Sequence, residues 1–167
     1  QACSITFGAP TKTFNMAGIV SSYAIVPNDT LRNTFFGWLN ANELNWPNMF
    51  ATIATQAAFR HGEDWRQEML CYIEANIRFV ENFCHEHIPQ IFPVRPQASY
   101  LIWLDCRKLG VEQDKLVSLF VEQAGLALND GSIFGKEGNG FMRLNVGCPQ
   151  SVLRQAFEQL RQAVNKR

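Results

Sequence analysis

The sequence predicts an α/β fold, and three observations carry that expectation. Short runs of strand character, at residues 4–7, 22–26, 99–105 and 141–146, are interleaved with segments whose apolar residues recur every three or four positions. Gly8, Pro10, Pro27 and Pro89 punctuate these segments. The 167 residues are 47% hydrophobic with a mean hydropathy of −0.12, which excludes a disordered chain and a membrane bundle and leaves room for a sizeable core.

In chain order, residues 4–7 form a first β-like run, and Gly8-Ala9-Pro10 breaks it so that Lys12 falls in a loop. Residues 22–26 form a second run. Pro27-Asn28-Asp29-Thr30 joins a turn to capping residues and opens a helix over about 31–39. Residues 46–59 carry Phe50, Ile53, Ala54, Ala57 and Ala58 at helical spacing, until His61-Gly62 stops them. Asp64 caps the longest helix, where Met69, Ile73, Ile77, Val80 and Cys84 trace one apolar stripe that ends at Pro89. Residues 99–105 read as a nearly continuous apolar strand, expected to be covered on both faces. A short amphipathic helix over 115–124 follows, with Gly125 as its C-cap. Residues 126–128 are expected as an edge strand and the Gly-rich stretch 131–140 as a long loop. Residues 141–146 alternate, placing Phe141, Arg143 and Asn145 on one face and Met142, Leu144 and Val146 on the other. Ser151 caps a closing helix over 151–164.

Charge narrows the function classes. Lys plus Arg and Asp plus Glu each number 15, so no net field exists to draw a nucleic acid or an acidic membrane surface. No apolar run approaches a membrane span. Charged residues make up 18% against a usual figure of about 25%, which fits an unusually buried chain or a piece of something larger. The five cysteines, at positions 3, 71, 84, 106 and 148, are odd in number, widely spaced and without a CxxC, so neither a disulfide framework nor a metal site is indicated. Scattered free thiols and the lack of a leader pattern point to a cytoplasmic protein. The first residues already read as a strand in progress, with no initiator Met.

Lys12 is the first candidate for chemistry. A lysine amine held between a strand break and a second strand can form Schiff bases with carbonyl compounds when desolvation or a nearby cation lowers its pKa. Composition alone favours a solvated loop lysine. The surrounding string Ala9-Pro10-Thr11-Lys12-Thr13-Phe14-Asn15-Met16-Ala17-Gly18, however, resembles the cofactor-lysine motif of fold-type I pyridoxal-phosphate enzymes. More narrowly it resembles the cystathionine β-lyase (C–S lyase) branch of the class I/II aminotransferase family. The resemblance continues through Ser21-Ser22-Tyr23-Ala24-Ile25-Val26-Pro27 and Ser99-Tyr100-Leu101-Ile102-Trp103-Leu104-Asp105. It resumes at Leu128-Asn129-Asp130-Gly131-Ser132-Ile133-Phe134-Gly135 and closes on Gly140-Phe141-Met142-Arg143-Leu144-Asn145-Val146-Gly147-Cys148-Pro149. These motifs stand in family order over nearly the whole chain.

By this resemblance Lys12 matches the lysine that carries pyridoxal 5′-phosphate and later removes the substrate α-proton. Thr11 would offer a hydroxyl to the cofactor phosphate. Arg143 matches the arginine that grips the substrate α-carboxylate, a task suited to a planar two-point donor that stays charged. On its residues alone, an arginine in an apolar strand must reach an anion or pair structurally with a carboxylate, and the second is the commoner outcome. Two positions depart from the aminotransferase pattern. Val20 stands where many aminotransferases place a phosphate-binding arginine, and Ala9 where many place a serine. The missing arginine is similar to the C–S lyase branch and favours β-elimination over transamination.

Other motifs read as structure. Cys84-His85-Glu86-His87 has metal-ligating types, but neighbours two apart on a helix diverge, so it reads as a polar helix end. His61 reads as a helix-stop residue. The loop 131–140 lacks the strand–turn–helix context of a phosphate loop, although by resemblance it borders the active site through Ile133-Phe134-Gly135. Trp38, Trp46, Trp65 and Trp103 are expected in the core or an interface.

The family chain is more than twice this long, and the match starts just before the lysine and runs to the end. The resemblance therefore implies a C-terminal piece. Residues 1–45 would be a remnant of the large cofactor domain carrying Lys12, and residues 46–167 the small α/β domain, a small sheet packed with helices. The missing N-terminal half would hold the aspartate facing the pyridine nitrogen, the aromatic residue on the ring and most phosphate ligands. The implied parent is a homodimer that eliminates thiol from cystathionine or a cysteine-type thioether, leaving pyruvate and ammonia. The alternative is an aminotransferase working between a small amino acid and a 2-oxo acid. The alternative of another class is a non-catalytic folded domain. Length argues against activity in the isolated 167 residues.

Overall fold

A computed structural model describes residues 3–166. The chain divides into two compact units, Gln1–Met69 and Leu70–Arg167.

In the first unit, β1 (Thr6–Gly8) pairs antiparallel with β2 (Tyr23–Ile25), Thr6 opposite Ile25 and Gly8 opposite Tyr23. Gly8 allows this closeness, since a Cβ there would stand 2.4 Å from the Tyr23 ring. Between the strands lie one helical turn, α1 (Pro10–Thr13), and a 3-10 turn at Ala17–Ile19. Lys12 thus belongs to an element and not to the loop expected from sequence. Buried Pro10 opens the turn, where its missing N–H costs nothing and its fixed φ favours a helix. Phe14, at the end of the turn, packs on Phe59 and Trp65 at 5.7 and 6.4 Å between ring centroids. Asn28 caps α2 (Asp29–Ala41) by accepting from Leu31 N at 2.9 Å, and Asn48 likewise caps α3 (Met49–His61). Among the described residues of this unit only Pro10, Val26 and Ala51 are buried.

The long helix α4 (Glu63–His87) starts one residue before Asp64 and feeds the second unit. There follow β3 (Phe92–Val94), β4 (Leu101–Asp105), α5 (Gln113–Ser118), β5 (Asn129–Asp130), β6 (Phe141–Asn145) and α6 (Gln150–Asn165). The strands form one antiparallel sheet in the order β3-β4-β6-β5. One face of this sheet, with Ile102, Leu104, Met142 and Leu144, joins the core. The stripe Ile77, Val80 and Cys84 of α4 and the residues Leu153, Phe157 and Leu160 of α6 complete it, Phe157 meeting Phe79 and Phe83 edge-on.

Several expectations change here. β4 is buried on one face only, because it pairs antiparallel and its partly exposed residues Leu101, Trp103 and Asp105 alternate with the core. β3 was hidden by Pro93, which an edge strand tolerates. The edge strand lies at Asn129–Asp130 and not at 126–128, where Leu128 N turns back to Leu126 O. The stretch 131–140 holds two 3-10 turns, Gly131–Phe134 and Lys136–Gly138. α5 runs on as a π-helical turn, Leu119–Gln123, before Gly125 at φ +69°. α6 starts ahead of Ser151, with Pro149 at its cap.

Asn76 is fully buried on α4, and its side-chain amide donates to Val146 O and Cys148 O at 2.9 Å each. It ties the helix to the chain leaving β6. Asn76→Leu strips two carbonyls of their donor, at about 1–3 kcal/mol each, so urea unfolding is expected to register a loss of about 2–6 kcal/mol. A loss below about 0.5 kcal/mol, within the range of neutral surface changes, would show that those carbonyls find other donors.

Candidate functional site

Arg143 lies on the outer face of β6, a central strand, opposite Trp103 of β4 and Asn129 of β5. One guanidinium N–H donates to Asn129 Oδ1 at 3.0 Å, and Cζ lies 4.4 Å from the centroid of the Phe134 ring. Its Nε is buried without a hydrogen-bond partner, and no carboxylate among the described residues forms an ion pair with it. The structural ion pair that composition favours is therefore not made. A guanidinium set over an aromatic ring, with one neutral acceptor and an unmet N–H, keeps its capacity for an anion.

The surroundings of Arg143 are aromatic. Trp103 meets Phe134 and Phe141 edge-on at 5.4 and 6.0 Å. With Val94, Glu137 and Gly138 these three rings line a cavity of about 350 Å³. Phe134 is presented by the Gly-rich loop, whose backbone closes so tightly that a Cβ on Gly131 would lie 2.3 Å from Gly138 O. The Asp130 carboxylate accepts from Ser132 N and Oγ at 2.8 Å each and from Gln113 Nε2 at 2.5 Å. Gln113 Oε1 in turn accepts from Gly140 N at 2.6 Å. Burial pushes the Asp130 carboxyl up, but these three hydrogen bonds outweigh it and hold the group below its ordinary value.

Lys12 stands exposed on α1, with no hydrogen bond or ion pair among the described residues. Thr11 beside it is half-buried, and its hydroxyl has no partner among them. Val20, eight residues on, has φ +51°, a left-handed conformation that β-branched residues rarely adopt. The structure brings Thr11 and Lys12 together in the first unit and sets Arg143 in the second.

None of the four tryptophans is buried; Trp46 is 80% exposed. Cys84 is buried, which pushes its thiol up to about 12, whereas His85, Glu86 and His87 are exposed. Among the described residues no group of three His, Cys, Asp or Glu is set to hold a metal ion, and no helix is long and apolar enough to cross a membrane. Sequence reasoning missed Asn129 and Gln113. The string Asn129-Asp130-Gly131-Ser132 signals a turn, but nothing in it points to Arg143.

Known proteins share this fold. The chain is 36% identical to cystathionine β-lyase PatB of Bacillus subtilis over 162 residues, 97% of this chain and 42% of that protein. It superposes on cystalysin of Treponema denticola, whose structure contains pyridoxal 5′-phosphate, with a TM-score of 0.92 at 30% identity, covering 97% of this chain and 41% of that one. The chain is a homologue of the pyridoxal-phosphate C–S lyases. The pyridoxal-phosphate-bound C–S lyase of Staphylococcus hominis gives a TM-score of 0.84 at 27% identity, covering 96% of this chain and 42% of that one. Aspartate aminotransferase of Pyrococcus horikoshii is more distant, at 22% identity over 92% of the chain, so the aminotransferase alternative has less support. No family model matches. The α/β architecture is that of the fold-type I enzymes, and the chain spans about 42% of the length of these lyases.

The Asp130 network makes a pH prediction. Its folded pKa is lowered, so its stabilisation is present above the ordinary value of 3.8 and is lost as pH falls through the folded value. The stability gap between the native chain and Asp130→Asn is expected to be full at neutral pH and to shrink only in acid below 3.8. Urea unfolding across the pH range measures it; a gap that shrinks near neutrality would contradict the lowered carboxyl.

Proposed function

We propose that this chain is the C-terminal part of a pyridoxal-phosphate-dependent C–S lyase that acts on cystathionine or a related cysteine thioether, releasing thiol, pyruvate and ammonia. The observation that carries the reading is Arg143, a guanidinium with no counter-charge of its own beside an apolar cavity. Homology to cystathionine β-lyases and C–S lyases supports the reaction class.

The residues present fit one end of the cofactor. An exposed, unpaired Lys12 amine can attach to its carbonyl carbon, and the Thr11 hydroxyl beside it can donate to a phosphate oxygen. When bound, pyridoxal phosphate supplies an electron sink for the carbanion formed at the substrate Cα. Arg143 binds the substrate α-carboxylate through parallel N–H donors and so fixes the direction of the Cα–H bond. Lys12 Nζ, released once the substrate amine takes its place on the cofactor's carbonyl carbon, would take the α-proton. The Cα–H electron pair then forms the Cα–Cβ double bond while the Cβ–S pair leaves with sulfur, whose thiolate takes up a proton. Water hydrolyses the released enamine to pyruvate and ammonia.

Residues 1–45 are read as the tail of the cofactor domain and 46–167 as the small domain. The near absence of a core in the first unit, where Phe7, Trp38, Trp46 and Phe50 are exposed, supports a larger polypeptide covering it. We read the full-length protein as a homodimer of the cytoplasm, a setting that suits its free cysteines.

Joined to the remainder of its polypeptide, the enzyme is expected to release pyruvate from cystathionine. Exchange of its amino group onto a 2-oxo acid, without pyruvate, would replace lyase by aminotransferase. Arg143→Ala is expected to raise KM by about 10–100-fold, the loss of charge-assisted hydrogen bonds, while cofactor absorbance is retained. Borohydride reduction is expected to fix the cofactor on Lys12 and to leave Lys12→Ala unlabelled; label elsewhere would remove Lys12 from its role.

A further inference from the structure

We propose that Gln113 is the positioning residue for Arg143, holding the two supports of the arginine through the loop that carries them. The inference rests on Arg143 as the carboxylate-binding group.

The supports, Asn129 at 3.0 Å and the Phe134 ring at 4.4 Å, both lie on one segment, from β5 through the Gly-rich loop. That segment is weakly held by the sheet. Its pairing with β6 covers only two residues, Asn129 with Arg143 and Asp130 with Met142, and Phe134 itself is 49% exposed. A two-residue ladder does not by itself fix a ten-residue excursion.

Gln113 supplies what the ladder lacks. It is the first residue of α5, a helix anchored in the core by Leu116. Its Nε2 donates to Asp130 Oδ1 at 2.5 Å and to Phe141 O at 3.3 Å, and its Oε1 accepts from Gly140 N at 2.6 Å. One side chain thus grips the loop at its entry, beside Asn129, and at its exit, beside β6. The site needs a donor and an acceptor on one rigid amide. Glutamate would lose the donor and face the Asp130 carboxylate, and leucine would lose both functions. Gln113 does not contact Arg143; it acts through the loop.

The test is NMR on the isotope-labelled 167-residue chain and on Gln113→Leu and Gln113→Glu. In both variants the contact between the Arg143 guanidinium and the Phe134 ring is expected to disappear. Amides of residues 132–140 are expected to exchange about tenfold faster or more, while the β4–β6 ladder keeps its protection. In the full-length enzyme, KM for the amino acid is expected to rise about 5–20-fold with kcat within about twofold, the pattern of lost uniform binding. If Gln113→Leu does not fold, Gln113→Glu, which keeps the acceptor for Gly140 N, is read alone. An unchanged Arg143–Phe134 contact with unchanged loop exchange overturns the proposal, as does a fall in kcat at constant KM. If Arg143→Ala leaves KM unaltered, the carboxylate reading fails by itself, and the NMR signals still decide whether Gln113 holds the arginine.

Discussion

A cation without a counter-charge organises the outer half of the second unit. Arg143 is fixed to a central strand, so its backbone cannot shift without disturbing both neighbours in the ladder. Its guanidinium has left part of its hydration behind, yet no carboxylate among the described residues offers compensation. Leaving a buried donor unmet costs about 1–3 kcal/mol. The opposite face of the same strand, Met142 and Leu144, is buried in the apolar core and holds the strand in place. The Phe134 ring and the Asn129 amide hold the arginine, and one of its N–H donors stays unused by the described residues.

The two units contrast in self-sufficiency. The second has a continuous interior drawn from one sheet face and the helices α4, α5 and α6. The first has capped helices and a paired hairpin but hardly any interior, and α2 buries no residue at all. Local signals there specify helices whose apolar residues meet only a few aromatic neighbours, Phe35 touching Phe7 and Phe59 touching Phe14 and Tyr23, without closing an interior. That asymmetry agrees with a chain that spans about 42% of its relatives.

What was legible in the sequence follows from the range of each signal. The alternation Phe141-Met142-Arg143-Leu144-Asn145 gave the strand, its two faces and the side of Arg143, since period two is written in adjacent residues. The apolar stripe of α4 was equally readable, being repeated over many turns. Lys12 was found by its neighbours, but its helical turn was not, because four residues opened by a proline carry too little periodicity. β3, with Pro93, and the two-residue β5 owe their existence to the partners they meet. The clasp of Asn76 and the grip of Gln113 were invisible, because their partners lie between 17 and 72 residues away and any polar side chain looks alike in a string of letters.

The edges of the sheet carry a last consequence. One border, β3, is three residues long and has a proline at its centre; the other, β5, is two residues long. Neither presents a row of free backbone groups on which a foreign strand could template. Polymerisation by strand addition is thereby blunted at both ends. Whatever meets this four-stranded sheet is left its broad side and the helices of the second unit, and so side chains in place of a backbone ladder.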